Sequence, residues 1–271
     1  MSYFFSFIIP TLNEEKFLPR LLGDLKNQNE KNFEVIIVDG FSDDNTKAIG
    51  KKNWSIPISF FEVKKRNVSF QRNFGAKKAN GEYLIFLDAD SRIYKNFTQI
   101  LTRKINQKKG LIFIPTLIPE KKSPQIKLIF RLVNFFIELS QSLTRPFSAA
   151  GSIIIEKNFF EKIGGFNENA YLAEDHNLIY KVSLWGVKPK ILHQVKVIFS
   201  LRRLKKEGEL KLLYKYLYAA IYFITKGKVD KKIFEYSMGG QEYKNIKDVS
   251  ITGNLQRYLR KIRRFFIKYL G

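Results

Sequence analysis

Asp88 and Asp90 close an apolar run, Tyr83-Leu84-Ile85-Phe86-Leu87, and stand two residues apart. In an extended chain, residues two apart point the same way, so the carboxylates can converge if the strand geometry persists past Leu87. Paired acids at the carboxyl end of a strand in an open α/β sheet are well placed to hold a divalent metal against phosphate oxygens. Asp39 ends a second apolar run, Val35-Ile36-Ile37-Val38. Glu174 and Asp175 open a helical stretch behind the Gly164-Gly165 turn. A carboxylate within reach of a hydroxyl can take its proton as that oxygen attacks. Each group also has a plainer use: Asp-x-Asp pairs are common in turns, and acids favour a helix N-terminus.

Such groups need a frame that gathers strand ends. Residues 5–9 read as a buried strand ending at Pro10, with a helix starting near 11–14, where Thr11 and Glu14 have capping-box spacing. Phe17, Leu18, Leu21, Leu22 and Leu25 would form the helix's apolar face. Strands follow at 34–39 and 58–63, a helix at about 69–79, and the strand leading to Asp88. Beyond Asp90 the pattern predicts a helix near 94–108, a strand at 111–118 and a long apolar helix at about 126–143. A strand at 149–155, a short helix, a helix at 174–185 and a strand at 190–199 complete it. This alternation predicts an α/β fold with a mostly parallel sheet flanked by helices.

At 271 residues, the chain can form one large α/β domain with an appendage. With no cysteine, disulfides, thiolate metal sites and cysteine nucleophiles are excluded, and two histidines are too few for a histidine-rich site. Composition shifts near Arg202, giving a domain at 1–203 and a basic helical extension at 204–271. From Arg202 onward there are 18 Lys or Arg against 6 Asp or Glu, within a net charge of +23. Such a patch attracts nucleic acid, acidic lipid or a diphosphate substrate. Leu255, Tyr258, Leu259, Ile262, Phe265, Phe266, Tyr269 and Leu270 fall on one helical stripe, with Arg and Lys off it. That is the pattern of an interfacial helix on anionic lipid, and also of an ordinary core-facing helix. The apolar run at 216–225 is too short to span a bilayer. The expectation is a cytoplasmic protein, peripheral on the cytoplasmic face of the membrane.

Four pieces occur in one order: Ile9-Pro10-Thr11-Leu12-Asn13-Glu14; Val35 through Asp39-Gly40-Phe41-Ser42 to Thr46; Gln71-Arg72-Asn73-Phe74-Gly75-Ala76 through Gly81 to Asp88-Ala89-Asp90; and Gly151 through Gly164-Gly165-Phe166 to Glu174-Asp175. The order and spacing resembles the family 2 glycosyltransferases of the GT-A fold, over about residues 5–203. The resemblance implies a Rossmann-like sheet and transfer of a sugar from a nucleoside-diphosphate sugar donor to an acceptor, which could be polyprenyl-linked. It places Pro10, Thr11, Glu14 and Asp39 around the nucleotide and points Arg72 at the nucleotide or diphosphate. Asp88 and Asp90 become ribose and metal carboxylates, with Mg2+ or Mn2+ as cofactor. Asp175 becomes the general base of an inverting attack, and Arg202 or Arg203 a bidentate clamp on the diphosphate. His193 could complete the metal site or be an edge histidine.

Two departures stand out. The family commonly shows Asp-Asp-Gly-Ser where this chain has Asp39-Gly40-Phe41-Ser42. Arg92 follows the acidic pair where some relatives that charge a polyprenyl phosphate carry a metal-binding glutamine. Two rivals remain open at this level: a sugar-phosphate nucleotidyltransferase, and a non-catalytic membrane or nucleic-acid binder. Nucleic acid is not the expected partner.

Overall fold

A computed structural model of the chain describes residues 3–120, 123–142, 146–148, 151–170 and 174–202. The expected basic extension, with Arg203 and its apolar stripe, lies outside them.

The first half alternates β1 (Phe5–Thr11), α1 (Leu18–Lys26), β2 (Phe33–Asp39), α2 (Thr46–Lys51), β3 (Ile58–Glu62), α3 (Val68–Lys78) and β4 (Tyr83–Phe86). The second half adds β5 (Arg92–Ile93), α4 (Phe97–Lys108), β6 (Ile112–Pro119), α5 (Pro124–Ser140), β7 (Ile153–Glu156), α6 (Lys157–Lys162), α7 (Glu174–Leu184) and β8 (Lys190–Phe199). Together the strands form one sheet in the order β3-β2-β1-β4-β7-β6-β8-β5.

Its first four strands are parallel, with Thr11 opposite Asp39, Asp39 opposite Glu62, and Ile8 opposite Phe86. β1 and β2 are buried at every residue, which is why they read as near-continuous apolar runs rather than alternating ones. Parallel register puts Thr11, Asp39 and the segment after Phe86 at one edge. Beyond β4 the sheet becomes mixed: β7 runs antiparallel to β4 and β6, β8 parallel to β6, and β5 antiparallel to β8.

The chain departs from the expected pattern at Thr11–Glu14. No helix starts there; β1 runs through Pro10 to Thr11, and α1 begins at Leu18. Pairing with β2 overrides the capping-box signal. Pro10 is tolerated because it lies past Ile8, where the β4 ladder ends, so its missing N–H leaves no ladder bond unmade. β5 was not expected from sequence. It is two residues long, and Arg92 there pairs with Asp24 of α1 through Nε at 2.5 Å and Nη2 at 2.7 Å.

Packing brings α3 unusually close to the sheet. A Cβ on Gly75 would lie 2.6 Å from Cγ2 of Ile8, so only glycine permits this approach. Among the described residues, no helix is long and apolar enough to cross a membrane.

Candidate active site

That close approach puts a polar helix face inside the protein. Ser69, Gln71 and Arg72 of α3 are all buried. Gln71 Nε2 donates to the carbonyls of Thr11 (2.9 Å) and Val38 (2.7 Å), tying α3 to the ends of β1 and β2. Arg72, next along, is 1% exposed and reaches past the end of β4. Its Nη2 donates to Asp88 Oδ1 at 2.8 Å, and its Nη1 to Glu174 Oε1 at 2.9 Å and Asp175 Oδ1 at 3.3 Å. Phe166 packs its ring 5.2 Å from the guanidinium.

Asp175 has a second anchor, since its Oδ2 accepts from Gly151 N at 2.7 Å. Burial pushes its carboxyl up to about 7, with Glu174 adding and Arg72 opposing. Burial works against charge on Arg72 as well, but Asp175, Asp88 and Glu174 outweigh it and raise its pKa above the ordinary guanidinium value.

A second arginine organises the other side. Arg202 grips Glu14 with both arms, Nη1 to Oε2 at 2.7 Å and Nη2 to Oε1 at 2.8 Å. Its Nε lies 2.7 Å from Asp90 Oδ2, an ion pair, while Phe17 covers the guanidinium at 4.9 Å. Burial raises Glu14 to about 7; Arg202 opposes this, and Asp90 and Asp88 add to it.

Asp39 is sealed. Thr11 Oγ1 (2.7 Å) and Ser42 Oγ (2.6 Å) both donate to its Oδ1, and Ser42 N donates to its Oδ2 at 2.8 Å. Asn13 N donates to Ser42 Oγ at 2.8 Å, so the loops leaving β1 and β2 are stitched together. Between Asp39 and Ser42, Phe41 takes a left-handed φ of 62° and is 52% exposed. It stands where the family pattern has glycine, the residue that adopts this backbone without strain.

Glu14, Arg72, Asp88, Asp90, Asp175 and Arg202 thus form two arginine-centred clusters at one sheet edge, with Pro10, Thr11 and Asp39 on the adjoining strand ends. His193 instead lies 3.4 Å from Glu138 on α5 and is 65% exposed. Sequence reasoning offered helix capping as the plain use of Glu174 and Asp175, yet both accept from Arg72. It also gave no role to Gly151, whose amide positions Asp175, or to Phe41, whose conformation only the mismatch with the family's glycine hinted at.

A divalent cation suits this donor set. Asp88 remains 35% exposed after pairing with Arg72, and hard oxygen ligands are what Mg2+ and Mn2+ prefer. Among the described residues, no three His, Asp or Glu side chains form a ligand cluster.

Residues 6–164 match the family described as Glycosyl transferase family 2. The chain belongs to that family. The match runs from β1 to the turn after α6, and so includes Asp39, Arg72, Asp88, Asp90 and Gly151. An uncharacterized glycosyltransferase of Haemophilus influenzae is 28% identical over 184 residues, 65% of this chain and 61% of the relative. The chain thus spans about three fifths of that relative's length. A GalNAc(5)-diNAcBac-PP-undecaprenol beta-1,3-glucosyltransferase of Campylobacter jejuni is 26% identical over 204 residues, 73% of this chain and 65% of the relative. Among solved structures, the mannosyltransferase PcManGT of Pyrobaculum calidifontis, in complex with GDP-Man and Mn2+, shares the GT-A fold. Its TM-score is 0.61 at 16% identity, covering 81% of this chain and 65% of that one.

Proposed function

We propose that this family 2 chain transfers a sugar from a nucleoside-diphosphate donor to the hydroxyl of a lipid-linked acceptor, with inversion, at the cytoplasmic face of a membrane. One observation carries the reading: Arg72 contacts both Asp88 and Asp175, so the acid beside the leaving diphosphate and the acid suited to proton removal share one buried cation.

The chemistry follows from the placement. The acceptor oxygen attacks the anomeric carbon as Asp175 takes its proton. The bond from that carbon to the diphosphate oxygen breaks on the opposite face, and nucleoside diphosphate leaves with the electron pair. A carboxyl held near 7 is a better base than an ordinary aspartate and is still largely ionised above neutrality. Mg2+ or Mn2+ at Asp88 and Asp90 would supply positive charge to the departing oxygen. Arg202 is committed to Glu14 and Asp90, so Arg203, the next residue, is proposed to clamp the diphosphate, with Pro10, Thr11, Glu14 and Phe41 framing the nucleotide and Asp39 holding Thr11 and Ser42 in place behind it. The Mn2+ complex of the structural neighbour supports the metal, and the undecaprenol-linked name of the Campylobacter relative supports the acceptor class.

A panel of nucleotide sugars with Mn2+ or Mg2+ tests this. Release of nucleoside diphosphate is expected, falling roughly 100- to 10,000-fold in Asp175→Asn, the range for a general base. Release of pyrophosphate would instead indicate nucleotidyl transfer and overturn the proposal.

A further inference from the structure

α5 carries more apolar surface than the fold buries. Its inner side, Ile126, Phe130 and Ile137, is buried against the core. Asn134 turns inward as well, donating to Leu117 O at 2.8 Å and accepting from Leu117 N at 2.9 Å. On the opposite side Leu128, Leu132, Phe135, Phe136 and Leu139 are between 45% and 56% exposed. At helical spacing these five cover an arc of about 100° along roughly 16 Å. Lys127 and Arg131 line one margin of that stripe, both exposed. The acid on the same margin, Glu138, lies beside His193. A contiguous apolar patch rimmed by polar residues marks an interaction surface.

We propose that this stripe is seated in an anionic lipid bilayer, with α5 lying along the interface. The proposal rests on the transferase reading above, and it names the surface that brings the acceptor to the site. Charge selects the occupant. A chain of net charge +23 resists pairing with its own copy and is drawn to acidic headgroups. β8 packs against the buried side of this helix. Phe199, at the end of β8, packs its ring 6.0 Å from that of Phe130 on α5.

The same helix is coupled to the catalytic side. At its carboxyl end, Gln141 Nε2 donates to Phe147 O at 2.9 Å, and Phe147 N donates to Ser140 Oγ at 3.2 Å. The Phe147 ring sits 5.4 Å from that of His176, the neighbour of Asp175. Four residues past Phe147, Gly151 N holds Asp175. The chain from Ser140 to Gly151 thus links the end of α5 to the amide that holds the proposed base.

The test uses the full chain and vesicles of phosphatidylcholine with or without phosphatidylglycerol. The wild type should co-sediment with the anionic vesicles and at least tenfold less with phosphatidylcholine alone. The combined variant Leu132→Gln, Phe135→Gln, Phe136→Gln should bind anionic vesicles at least tenfold more weakly. Its donor turnover in lipid-free solution should stay within about twofold of wild type, because these side chains already face water. Wild-type failure to bind, or undiminished binding by the variant, would overturn the proposal; the latter would leave residues 203–271 as the lipid contact. A change in oligomeric mass confined to the variant would also overturn it, in favour of a second copy. Absent donor turnover alongside stripe-dependent vesicle binding would sink the transferase reading and leave the docking surface standing.

Discussion

A Cβ placed on Gly151 would fall 2.3 Å from Nη2 of Arg72 and 2.9 Å from Oδ1 of Asp88. The glycine also holds a φ of +62°, which an L side chain adopts at a cost of about 1–2 kcal/mol. Its amide is meanwhile committed to Asp175. Gly151→Ala must therefore push the guanidinium away from the position where it joins Asp88 to Asp175. The expected outcome is a folded protein with kcat lowered roughly 100-fold, the cost of an ångström-scale displacement in a reacting site. Circular dichroism together with donor turnover checks this. An alanine variant with wild-type kcat would show that the Arg72 bridge does not organise the chemistry.

Arg72 should matter for stability as much as for catalysis. It is the shared partner of Asp88, Glu174 and Asp175, and removing one member of a buried ion pair typically costs about 3–5 kcal/mol. Arg72→Met keeps much of the volume and deletes the charge. The loss should be larger at pH 8 than at pH 6, because Asp175 can escape the missing partner by keeping its proton at the lower pH. Urea midpoints at the two pH values measure it. Equal losses at both would mean that the acids are not competing for this cation.

What the sequence revealed and what it hid divide along physical lines. Asp39, Asp88 and Asp90 were legible because fully buried parallel strands read as unbroken apolar runs, and the acids that end them mark the sheet edge. Arg72 was harder to place: α3 turns polar residues inward, so its apolar periodicity is weak and its arginine looks like surface charge. The grip of Arg202 on Glu14 spans 188 residues, a separation that no local pattern encodes. The spacing of Thr11 and Glu14 misled for a related reason. Strand pairing claimed Thr11, and Glu14 was left for Arg202 rather than for a helix end. The long apolar helix was visible in sequence, but only the structure shows that Leu128, Leu132, Phe135, Phe136 and Leu139 on it face out.

Glu14 makes stability depend on pH in an unusual direction. Its carboxyl moves from 4.5 in the unfolded chain to about 7 in the fold. Between those values the folded chain keeps a proton that the unfolded chain has released. The contribution is therefore complete below pH 4.5 and lost as pH rises to 7, at most on the order of 3 kcal/mol. Glu14→Gln should remove that part, so the stability of the variant relative to wild type should rise between pH 5 and pH 8. Chemical denaturation of both proteins across this window gives the difference. A parallel pH dependence would show that Arg202 keeps Glu14 ionised throughout.

Phe41 combines strain with exposure, and the two have opposite consequences when it is replaced. Its φ of 62° should cost about 1–2 kcal/mol, and a ring that is 52% exposed recovers little of this by burial. Glycine at this position would relieve the strain but add about 0.5–1 kcal/mol of unfolded-chain freedom. Phe41→Gly should therefore be as stable as wild type, or more stable by up to about 1.5 kcal/mol. A strained aromatic held out over the end of β2 is well placed to stack on the donor's base, an interaction worth about 1–3 kcal/mol. Nucleoside-diphosphate affinity should then fall roughly 5- to 100-fold in the glycine variant. Thermal melting and nucleotide titration by calorimetry separate the two effects. A variant that gains stability and binds nucleotide as tightly as wild type would leave the strain without a functional return.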